Sequence, residues 1–293
     1  MEIITEEATN LQRAGFYWRE ADGVRALSCA PLEEEGFVNA FSTRLGGVSP
    51  MPQDALNLAG FDDDAAENIY ENRRRFLKLF AGDFVLAACW QVHGSDVRVV
   101  KNLEDAREPI DSLGESAYCD ALMTRTAGVL IGVKTADCVS IIMGDARTGA
   151  CAAVHAGWRG TLARIAPLAI ERMSAEYGTR PADLRVAIGP AAGACCYEVG
   201  SEVIDAFNEK FPDTEELLKH TREGHALIDL QRANRNQLEA AGVAASHIHT
   251  APLCTMCRTD LFFSYRREKR LHGRTGRLMS VIGRNCFISS MNK

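Results

Sequence analysis

The sequence lacks the segments that direct a protein to a membrane or out of the cell. No charged stretch followed by an apolar core and a small-residue cleavage site opens the 293-residue chain, so we expect no signal peptide. No apolar run approaches the roughly 18 residues that a membrane-spanning helix needs. These absences predict a cytoplasmic protein without a membrane partner. Its ten cysteines are then expected to be reduced thiols.

Long basic runs and nucleotide-binding loops are also missing. The 33 basic and 39 acidic side chains give a net charge of -6, which disfavours a nucleic-acid partner. Two short arginine clusters, at residues 73–75 and 266–270, are predicted to be solvated charge. The sequence has neither a Walker-type loop nor a G-x-G-x-x-G motif, so it does not indicate binding of a nucleoside triphosphate or a dinucleotide.

The composition is that of an ordinary globular protein, with 46% hydrophobic and 25% charged residues. A chain of this length can bury a large core, and we predict a single domain. Predicted strands and helices alternate, and some adjacent strands are joined by tight turns. This pattern favours an α/β to α+β fold, a layered single-domain sandwich with mixed β-sheets and flanking helices.

One central stretch of the chain carries most of its distinctive residues. Short apolar runs rich in β-branched residues predict buried strands at Val129 to Val133, Val139 to Met143 and Cys151 to His155. The helical spacing of apolar residues predicts a helix over Thr161 to Tyr177. A helix that starts beside His155 would offer backbone donors to an anion such as phosphate.

Three residues in or near this stretch are candidate metal ligands. Cys138 lies between the first two predicted strands, His155 ends the third, and His93 lies upstream, before Gly94. Zinc accepts cysteine sulfur and histidine nitrogen, and catalytic zinc sites use three protein ligands with a fourth position left to water or substrate. Isolated histidines and cysteines more often fill ordinary core or surface positions, so the spacing alone leaves both interpretations open.

Arg44 is a candidate anion ligand in the polar turn from Ser42 to Ser49. Its guanidinium group is a planar fork of donors that suits phosphate or carboxylate. Gly46 and Gly47 give the backbone of this turn unusual freedom. The same residue types are equally consistent with a structural arginine that pairs with an acid.

Three further segments are given structural interpretations. Cys254-x-x-Cys257 and Cys195-Cys196 could form a second, structural zinc site, but we favour buried thiols because the second pair is not spaced. Asp120 is expected to be a turn or cap residue rather than a ligand or an acid. Residues 266–276 are expected to form a polar loop.

The sequence resembles the YfiH family, whose members have been called multicopper polyphenol oxidases, laccase-domain proteins and, more recently, purine nucleoside phosphorylases. The segments that carry the resemblance occur in order along the chain: Phe41 to Ser49, Gln91-Val92-His93, Ala136-Asp137-Cys138, His155 to Gly160, Gly189-Pro190 with Cys195 to Glu198, and Phe262 to Arg267. The resemblance begins at about Phe37. We therefore assign residues 37–293 to a YfiH-like metal-binding catalytic domain and residues 1–36 to an N-terminal segment packed on it.

The resemblance implies a fold, a metal site and an activity. The fold is a layered sandwich of helices and mixed sheets, related to the deamidase domain of cytotoxic necrotizing factor. His93, Cys138 and His155 would hold zinc. The implied activity is phosphorolysis of adenosine, inosine, guanosine and methylthioadenosine, together with adenosine deamination, so the expected partners are purine nucleosides and phosphate. Zinc lowers the pKa of bound water to about 7, which would provide a nucleophile for deamination.

Under this hypothesis we predict catalytic roles for Cys138, Asp137 and Arg44, and substrate contacts for Arg44, Gln91 and Arg159. Arg44 would hold phosphate together with the metal. Asp137 would fix the tautomer of a metal-binding histidine, although alternation along an extended segment would direct it away from Cys138. The sequence identifies neither the group that protonates the departing purine nor the oligomeric state.

Three alternatives remain open at this point. Two histidines and one cysteine also describe a mononuclear copper site, which would allow copper-dependent oxidation of phenols. Seven histidines, however, are too few for the several-copper centre of a laccase. Cys138 as a thiolate nucleophile with His155 as its base would instead make a Cys–His hydrolase or amidase. The third alternative is a binding module without catalytic activity.

Overall fold

The computed structural model describes residues 2–51, 54–59, 63–107 and 118–285. These residues form two six-stranded mixed sheets that pack face to face, one small antiparallel sheet, and flanking helices. The predicted layered sandwich of the α+β class is therefore confirmed.

The first sheet is antiparallel except at one edge. Its strands, in spatial order, are Phe16–Ala21 (β1), Val24–Cys29 (β2), Val38–Ser42 (β3), Leu278–Gly283 (β15), Val129–Thr135 (β7) and Val85–Ala87 (β4). β4 pairs with β7 in parallel, and β15 lies between β3 and β7. The boundary predicted at residue 36 falls inside this sheet, because β2 on one side of it pairs with β3 on the other.

The second sheet contains two of the three strands of the central stretch, flanked by strands from before and after it in sequence. Its strands, in spatial order, are Ile248–Thr250 (β14), Leu184–Ile188 (β10), Val139–Asp145 (β8), Ala150–Ala156 (β9), Ala121–Thr124 (β6) and Val97–Val99 (β5). The third sheet consists of Glu198–Gly200 (β11), His225–Ile228 (β13) and Leu218–Arg222 (β12). The three strands predicted around Cys138 and His155 are thus confirmed as β7, β8 and β9.

Some of the helices pack on the outer faces of the two large sheets, and others pack against the apolar layer between the sheets. The helices are Glu2–Arg13 (α1), Ala30–Glu34 (α2), Ala66–Leu77 (α3), Leu103–Arg107 (α4), Trp158–Leu162 (α5), Ile165–Tyr177 (α6), Ser201–Lys210 (α7), Leu230–Ala240 (α8) and Tyr265–His272 (α9), with short 3-10 helices at Pro181–Asp183, Thr214–Glu216 and Ala245–His247. No described helix is both long enough and apolar enough to cross a membrane.

Alternation along the strands divides the apolar side chains among three layers. In β8, Ile141 faces α6 and Ile142 faces the first sheet, and neighbouring strands follow the same rule. Phe41 and Ile131 meet Ile142 between the sheets, and all of these side chains are essentially inaccessible to water. Because each fully buried large apolar side chain contributes roughly 1.5–3 kcal/mol, this layer gives the strand ends a rigid base.

Two helical predictions are wrong in detail. The helix predicted from Thr161 to Tyr177 is interrupted at Arg164, whose left-handed backbone (φ 59°) separates α5 from α6. The polar loop predicted at residues 266–276 contains α9 instead. Ser264 begins α9, because its hydroxyl accepts a hydrogen bond from the Arg267 N–H while its own N–H donates to the Glu268 carboxylate.

Candidate active site

His93, Cys138 and His155, which we call the His–Cys–His cluster, lie together in the structure. Their potential ligand atoms are all within 4.8 Å of one another. The Cys138 Sγ is 4.0 Å from His93 Nε2, and the two imidazole rings lie edge to face with their centroids 4.9 Å apart. The structure thus brings together the three residues that the sequence offered as metal ligands.

The β8–β9 hairpin and two left-handed residues produce this convergence. His155 is in β9 directly opposite Ser140 of β8, and Cys138 lies just before β8 begins. The turn that contains Cys138 is made possible by a positive φ of 89° at Asp137, and His93 has a φ of 60°. Such backbone angles are uncommon for residues other than glycine, and they occur often at functional sites.

Asp120 lies behind the cluster and holds both histidines. Its Oδ1 is 2.8 Å from His155 Nδ1, so Nε2 is the ring nitrogen of His155 that remains for a ligand. The same carboxylate accepts hydrogen bonds from the backbone N–H groups of Val92, His93 and Gly94, at 3.1, 3.0 and 2.7 Å. Burial opposes the charge of Asp120, but these partners hold its pKa below the usual value.

Asp120 therefore occupies the position beside a histidine that was expected for Asp137. The Asp137 carboxylate instead accepts hydrogen bonds from the Thr255 hydroxyl at 2.7 Å, the Ser264 hydroxyl at 2.9 Å and the Arg266 N–H at 2.7 Å. Burial raises the pKa of Asp137 despite these bonds. The assignment of Asp137 as the residue that fixes a histidine tautomer is wrong, because Asp137 anchors the start of α9.

Cys138 and His155 stabilise each other as a charged pair. Burial disfavours both charges, yet the neighbouring imidazoles lower the pKa of the Cys138 thiol to about 6. Burial likewise opposes the imidazolium, while the thiolate and Asp120 raise the pKa of His155 to about 9. A site that stabilises a thiolate at neutral pH provides the form of cysteine that acts as a nucleophile and as a metal ligand.

Gly157 leaves space beside this pair. A Cβ atom at this position would lie 3.1 Å from Cys138 Sγ and 3.2 Å from His93 Cδ2. The backbone of Gly157 is extended (φ -64°, ψ 173°), so the constraint is the contact with the cluster and not the conformation. The donor set and this gap both fit a metal ion held by two imidazole nitrogens and one thiolate.

The His–Cys–His cluster lines a cavity of about 540 Å³, a size typical of sites for small molecules. Four aromatic side chains also line this cavity: Trp90, Trp158, Tyr197 and Tyr265. Four basic side chains line it as well: Lys134, Arg159, Arg266 and Arg277. The cavity therefore combines ring surfaces with positive charge around a thiol and two imidazoles.

The rings and the basic groups are stacked on one another. The guanidinium carbon of Arg159 is 4.1 Å from the centre of the Trp158 ring, and that of Arg266 is 5.0 Å from the centre of the Tyr197 ring. Arg266 also donates a hydrogen bond to the Glu198 carbonyl oxygen at 2.7 Å. Arg266 belongs to one of the arginine clusters predicted to be solvated charge, and it is exposed although it lines the cavity. In the other cluster that prediction is wrong for Arg73, which is buried and donates to the Leu58 carbonyl oxygen at 2.9 Å.

Arg44 does not line this cavity. Its guanidinium group is buried, pairs with the Glu268 carboxylate at 2.6 Å, and donates to the carbonyl oxygens of Thr259 and Met51 at 2.9 and 2.7 Å. The Phe263 ring lies against it, 4.5 Å away. The structural alternative, an arginine that pairs with an acid, describes Arg44 better than the predicted catalytic and phosphate-binding role.

Gln91 and Arg159, the other predicted substrate contacts, both line the cavity. The Gln91 amide exchanges two hydrogen bonds with the Lys134 backbone, each 2.7 Å long, so its side chain fixes the loop that carries His93. The Arg159 side chain is more than half exposed, and its guanidinium nitrogen makes a long ion pair of 3.7 Å with the Glu202 carboxylate oxygen. Of the two residues, Arg159 is better placed to reach a ligand.

Comparison with known proteins identifies relatives over most of the chain. The family described as multi-copper polyphenol oxidoreductase laccase matches residues 38–285. The purine nucleoside phosphorylase YlmD of Geobacillus stearothermophilus is 37% identical over 262 residues, which is 88% of this chain and 94% of that protein. Adenosine deaminase RL5, from an unknown prokaryotic organism, is 36% identical over 81% of this chain and 92% of its own length.

The fold of the relatives agrees with these matches. The crystal structure of YlmD from Geobacillus stearothermophilus superimposes with a TM-score of 0.82 at 36% identity, covering 92% of this chain and 99% of that one. The crystal structure of the Bacillus licheniformis protein YfiH gives a TM-score of 0.79 at 28% identity over the same shares. As the resemblance to YfiH proteins indicated, the chain belongs to the multi-copper polyphenol oxidoreductase laccase family.

Proposed function

We propose that this chain is a zinc-dependent purine nucleoside phosphorylase that also deaminates adenosine. The observation that carries the proposal is the His–Cys–His cluster at the surface of a cavity lined by aromatic and basic side chains. Relatives named as purine nucleoside phosphorylases and as an adenosine deaminase support it. The substrates proposed are adenosine, inosine, guanosine and methylthioadenosine, together with phosphate.

The aromatic side chains account for the purine. A purine is a flat ring system, and stacking on an aromatic side chain contributes about 1–3 kcal/mol for a nucleic-acid base. Trp158 and Tyr197 carry arginines on their rings, and Tyr265 is half exposed at the cavity. These rings offer the base a surface whose recognition tolerates different purines, which fits a broad nucleoside range.

The basic side chains account for phosphate. The cavity is lined by three arginines, Arg159, Arg266 and Arg277. A guanidinium group can bind two phosphate oxygens at once through two parallel hydrogen bonds. Stacking on Trp158 and Tyr197 orients two of these groups before a ligand arrives. We therefore transfer the proposed phosphate contact from Arg44 to this group, with Arg159 and Arg266 as the principal candidates.

Phosphorolysis replaces the bond between the sugar C1′ and the purine nitrogen with a bond from C1′ to a phosphate oxygen. The guanidinium groups hold the attacking dianion beside the sugar and offset its charge. The rings hold the departing base, which takes up a proton as it leaves. In this proposal His93, Cys138 and His155 hold zinc, and Asp120 keeps His155 in the tautomer that a ligand requires. When bound, zinc supplies a Lewis acid that polarises an oxygen of water or substrate.

Copper oxidation of phenols, the first alternative, receives less support from the site. A laccase needs several copper ions held largely by histidine. Among the described residues, histidine takes part in one group of potential metal ligands, the His–Cys–His cluster, and the other such group consists of cysteines alone. Metal analysis and a visible spectrum of protein purified without added copper separate the two proposals, because zinc gives no colour.

A Cys–His hydrolase remains a second candidate because of one observation. Cys138, His155 and Asp120 form a connected series in which the carboxylate orients the imidazole and the imidazole stabilises the thiolate. This mechanism needs a free sulfur. Amide hydrolysis that is unchanged when a chelator removes metal, and that is lost when Cys138 is alkylated, would establish the hydrolase in place of the metal-dependent reaction.

The test of the proposed function is product analysis with purified protein. Adenosine is incubated with and without inorganic phosphate, and adenine, inosine, hypoxanthine and ribose 1-phosphate are quantified. We expect adenine and ribose 1-phosphate only when phosphate is present, and inosine in both reactions. His155→Ala should abolish both activities, whereas His220→Ala, at an exposed histidine of β12, should leave them unchanged.

The contradictory result is equally specific. Protein that contains one zinc ion in the His–Cys–His cluster but forms no product from adenosine, inosine, guanosine or methylthioadenosine would exclude the proposed function. Equal activity of His155→Ala and the wild type would exclude the assigned site while leaving the reaction itself in place.

A further inference from the structure

Four cysteines distant from the His–Cys–His cluster in sequence also converge. Cys195, Cys196, Cys254 and Cys257, which we call the four-cysteine cluster, have all their sulfur atoms within 4.8 Å of one another. Cys257 Sγ is 3.3 Å from Cys196 Sγ and 3.5 Å from Cys195 Sγ. Cys195 and Cys257 are exposed, so the prediction of four buried thiols is wrong.

Two tight turns bring the sulfurs to one point. In the first turn, the N–H groups of Cys196 and Tyr197 both donate to the Gly193 carbonyl oxygen at 2.9 Å. In the second, the N–H groups of Cys257 and Arg258 donate to the Cys254 carbonyl oxygen at 3.2 and 3.0 Å. Because a turn reverses direction within a few residues, even the adjacent pair Cys195 and Cys196 can face the same side.

The two turns are fixed to each other by backbone contacts. Ala191 and Cys254 form an isolated parallel bridge, and the Thr255 N–H donates to the Ala191 carbonyl oxygen at 3.0 Å. Gly193 has no side chain at the junction, where a Cβ atom would lie 3.3 to 3.5 Å from atoms of Cys254 and Cys195. The arrangement of the four sulfurs is therefore a product of the backbone and does not depend on long, mobile side chains.

The spacing of the sulfurs suits a tetrahedral metal ion. Zinc bonds to thiolate sulfur at about 2.3 Å, and four such bonds in a tetrahedron place the sulfurs about 3.8 Å apart. The two distances from Cys257 Sγ given above are slightly smaller than this value, and all the sulfur atoms lie within 4.8 Å of one another. The Gly193 N–H also donates to Cys254 Sγ at 3.2 Å, an interaction that stabilises a thiolate ligand.

We propose that Cys195, Cys196, Cys254 and Cys257 hold one structural zinc ion. With four protein ligands the ion has no position left for water or substrate, so this site stabilises the structure and takes no part in the reaction. The proposal is independent of the proposed nucleoside activity. It adds a second zinc ion to each chain.

A disulfide is the competing explanation for close thiols. A sulfur–sulfur bond joins two cysteines at about 2.05 Å, and it explains one close pair of sulfurs. In this structure Cys257 is about equally distant from two different partners, and Cys254 completes a group of four. A single metal ion accounts for all four positions, whereas two disulfides would need the sulfurs to separate into pairs.

The proposed zinc ion would connect two loops at the edge of the cavity. Cys196 is followed by Tyr197, whose ring lines the cavity beneath Arg266. Cys254 is followed by Thr255, whose hydroxyl donates to Asp137 next to Cys138. The ion would therefore hold the Tyr197 loop and the Asp137 turn in a fixed relation without contacting a substrate.

The experiment is zinc analysis of the full chain, purified in reductant and desalted, by inductively coupled plasma mass spectrometry. Four proteins are compared: the wild type, Cys254→Ser/Cys257→Ser, His93→Ala/Cys138→Ala, and Cys151→Ala as a control at a buried cysteine outside both clusters. We expect about two zinc ions per chain in the wild type and in Cys151→Ala, and about one in each of the two double variants.

Cobalt substitution gives a second readout that identifies the site. Sulfur-to-cobalt charge-transfer absorption grows with the number of thiolate ligands. The His93→Ala/Cys138→Ala variant loaded with cobalt should therefore keep most of the wild-type absorption, and Cys254→Ser/Cys257→Ser should lose most of it.

Three results would overturn the proposal. The first is a His93→Ala/Cys138→Ala variant that binds no zinc, which decides the matter even when the Cys254→Ser/Cys257→Ser protein is insoluble. The second is an intact mass of the reduced-purified wild type that shows disulfide-bonded cysteines at these positions. The third is an unchanged zinc content in Cys254→Ser/Cys257→Ser. A wild type with a single zinc ion that His93→Ala/Cys138→Ala retains supports this proposal and contradicts the His–Cys–His site.

Discussion

The two clusters of potential metal ligands differ in every property that separates a reactive site from a structural one. The His–Cys–His cluster has three ligands of two chemical types, a buried carboxylate behind it and a cavity in front of it. The four-cysteine cluster has four ligands of one type, is held by two turns, and does not line that cavity. The number of ligands and the space beside them, more than the presence of cysteine, are the grounds on which we propose a reactive role for the first cluster and a structural role for the second.

Their supports differ as well. His155 lies in a strand between two others, so its backbone is fixed by the sheet. The cysteines of the second cluster lie in turns at the surface, where Cys195 and Cys257 are exposed. We propose that a metal ion in such a place contributes mainly to order, because it would add four bonds to the single backbone bridge that joins the two turns. For a metal ion in the first cluster we propose the opposite balance, a small contribution to order and a large one to reactivity.

The largest effect should be the difference between substituting a ligand of the His–Cys–His cluster and substituting a ligand of the four-cysteine cluster. We expect Cys138→Ala to lower nucleoside turnover by about a thousandfold or more, since removing a ligand disturbs both the metal and its charge. Cys257→Ser should lower turnover only a few-fold but lower the melting temperature by roughly 6 °C, which corresponds to about 4 kcal/mol in a protein of this size. Steady-state kinetics and differential scanning calorimetry measure the two quantities.

Cys151→Ala is the matched control for this comparison, because Cys151 is a buried thiol in β9, the strand of His155, and is remote from the second cluster. It should change stability as an ordinary core substitution does and leave the zinc content intact. Equal losses of turnover in Cys138→Ala and Cys257→Ser would show that the proposed division between reactive and structural clusters is mistaken.

A smaller effect is expected from substitution of Asp120, the buried carboxylate that supports the first cluster and has no counterpart in the group of four cysteines. Asp120→Asn keeps the size of the side chain but removes the charge that fixes His155, so we expect zinc affinity and turnover to fall about 10- to 100-fold. Competition with a chromogenic chelator measures the affinity. The four-cysteine cluster should keep its zinc.

Asp145→Asn is the control, since Asp145 is also a buried carboxylate that accepts backbone hydrogen bonds, at the other end of the β8–β9 hairpin. It should reduce stability without changing zinc affinity. A loss of zinc affinity in Asp145→Asn as large as that in Asp120→Asn would mean that general destabilisation, and not support of His155, explains the effect.

The smallest effect concerns the space beside the first cluster. Gly157→Ala places a Cβ atom 3.1 Å from Cys138 Sγ, so the ligands must move by a few tenths of an ångström. Because a displacement of 1 Å can cost about a hundredfold in rate, we expect a loss of roughly tenfold in turnover. Gly200→Ala is the control, because Gly200 is also an extended residue before a helix and its Cβ atom would meet nothing within 4 Å. Equal rates for the two variants would contradict a tightly packed metal site.

The strands of the fold were predictable because burial on both faces leaves a clear apolar pattern. β7, β8 and β9 have almost no exposed residue, and their sequences are apolar and rich in β-branched residues. The break at Arg164 was not predictable, because the apolar spacing continues through it and only the backbone angle shows it. The start of α9 had a signal that was missed, the Ser264 and Glu268 pair that caps the helix.

The site was predictable where residue type determines chemistry and was missed where a distant partner determines it. His93, Cys138 and His155 are metal-ligand residue types in segments that resemble a known family. Arg44 was misassigned because Glu268, 224 residues later, occupies its guanidinium group. The convergence of the four cysteines depends on two turns about 60 residues apart, which no local spacing reveals.

The position of β15 has a consequence for the synthesis of the protein. This strand comes after every other described strand in sequence, yet it pairs with β3 on one side and β7 on the other. Until the ribosome has made Gly283, the first sheet consists of two separate pieces with open, apolar edges that invite pairing with other chains. A nascent chain stalled in this interval is where we expect chaperone binding or aggregation to be most pronounced.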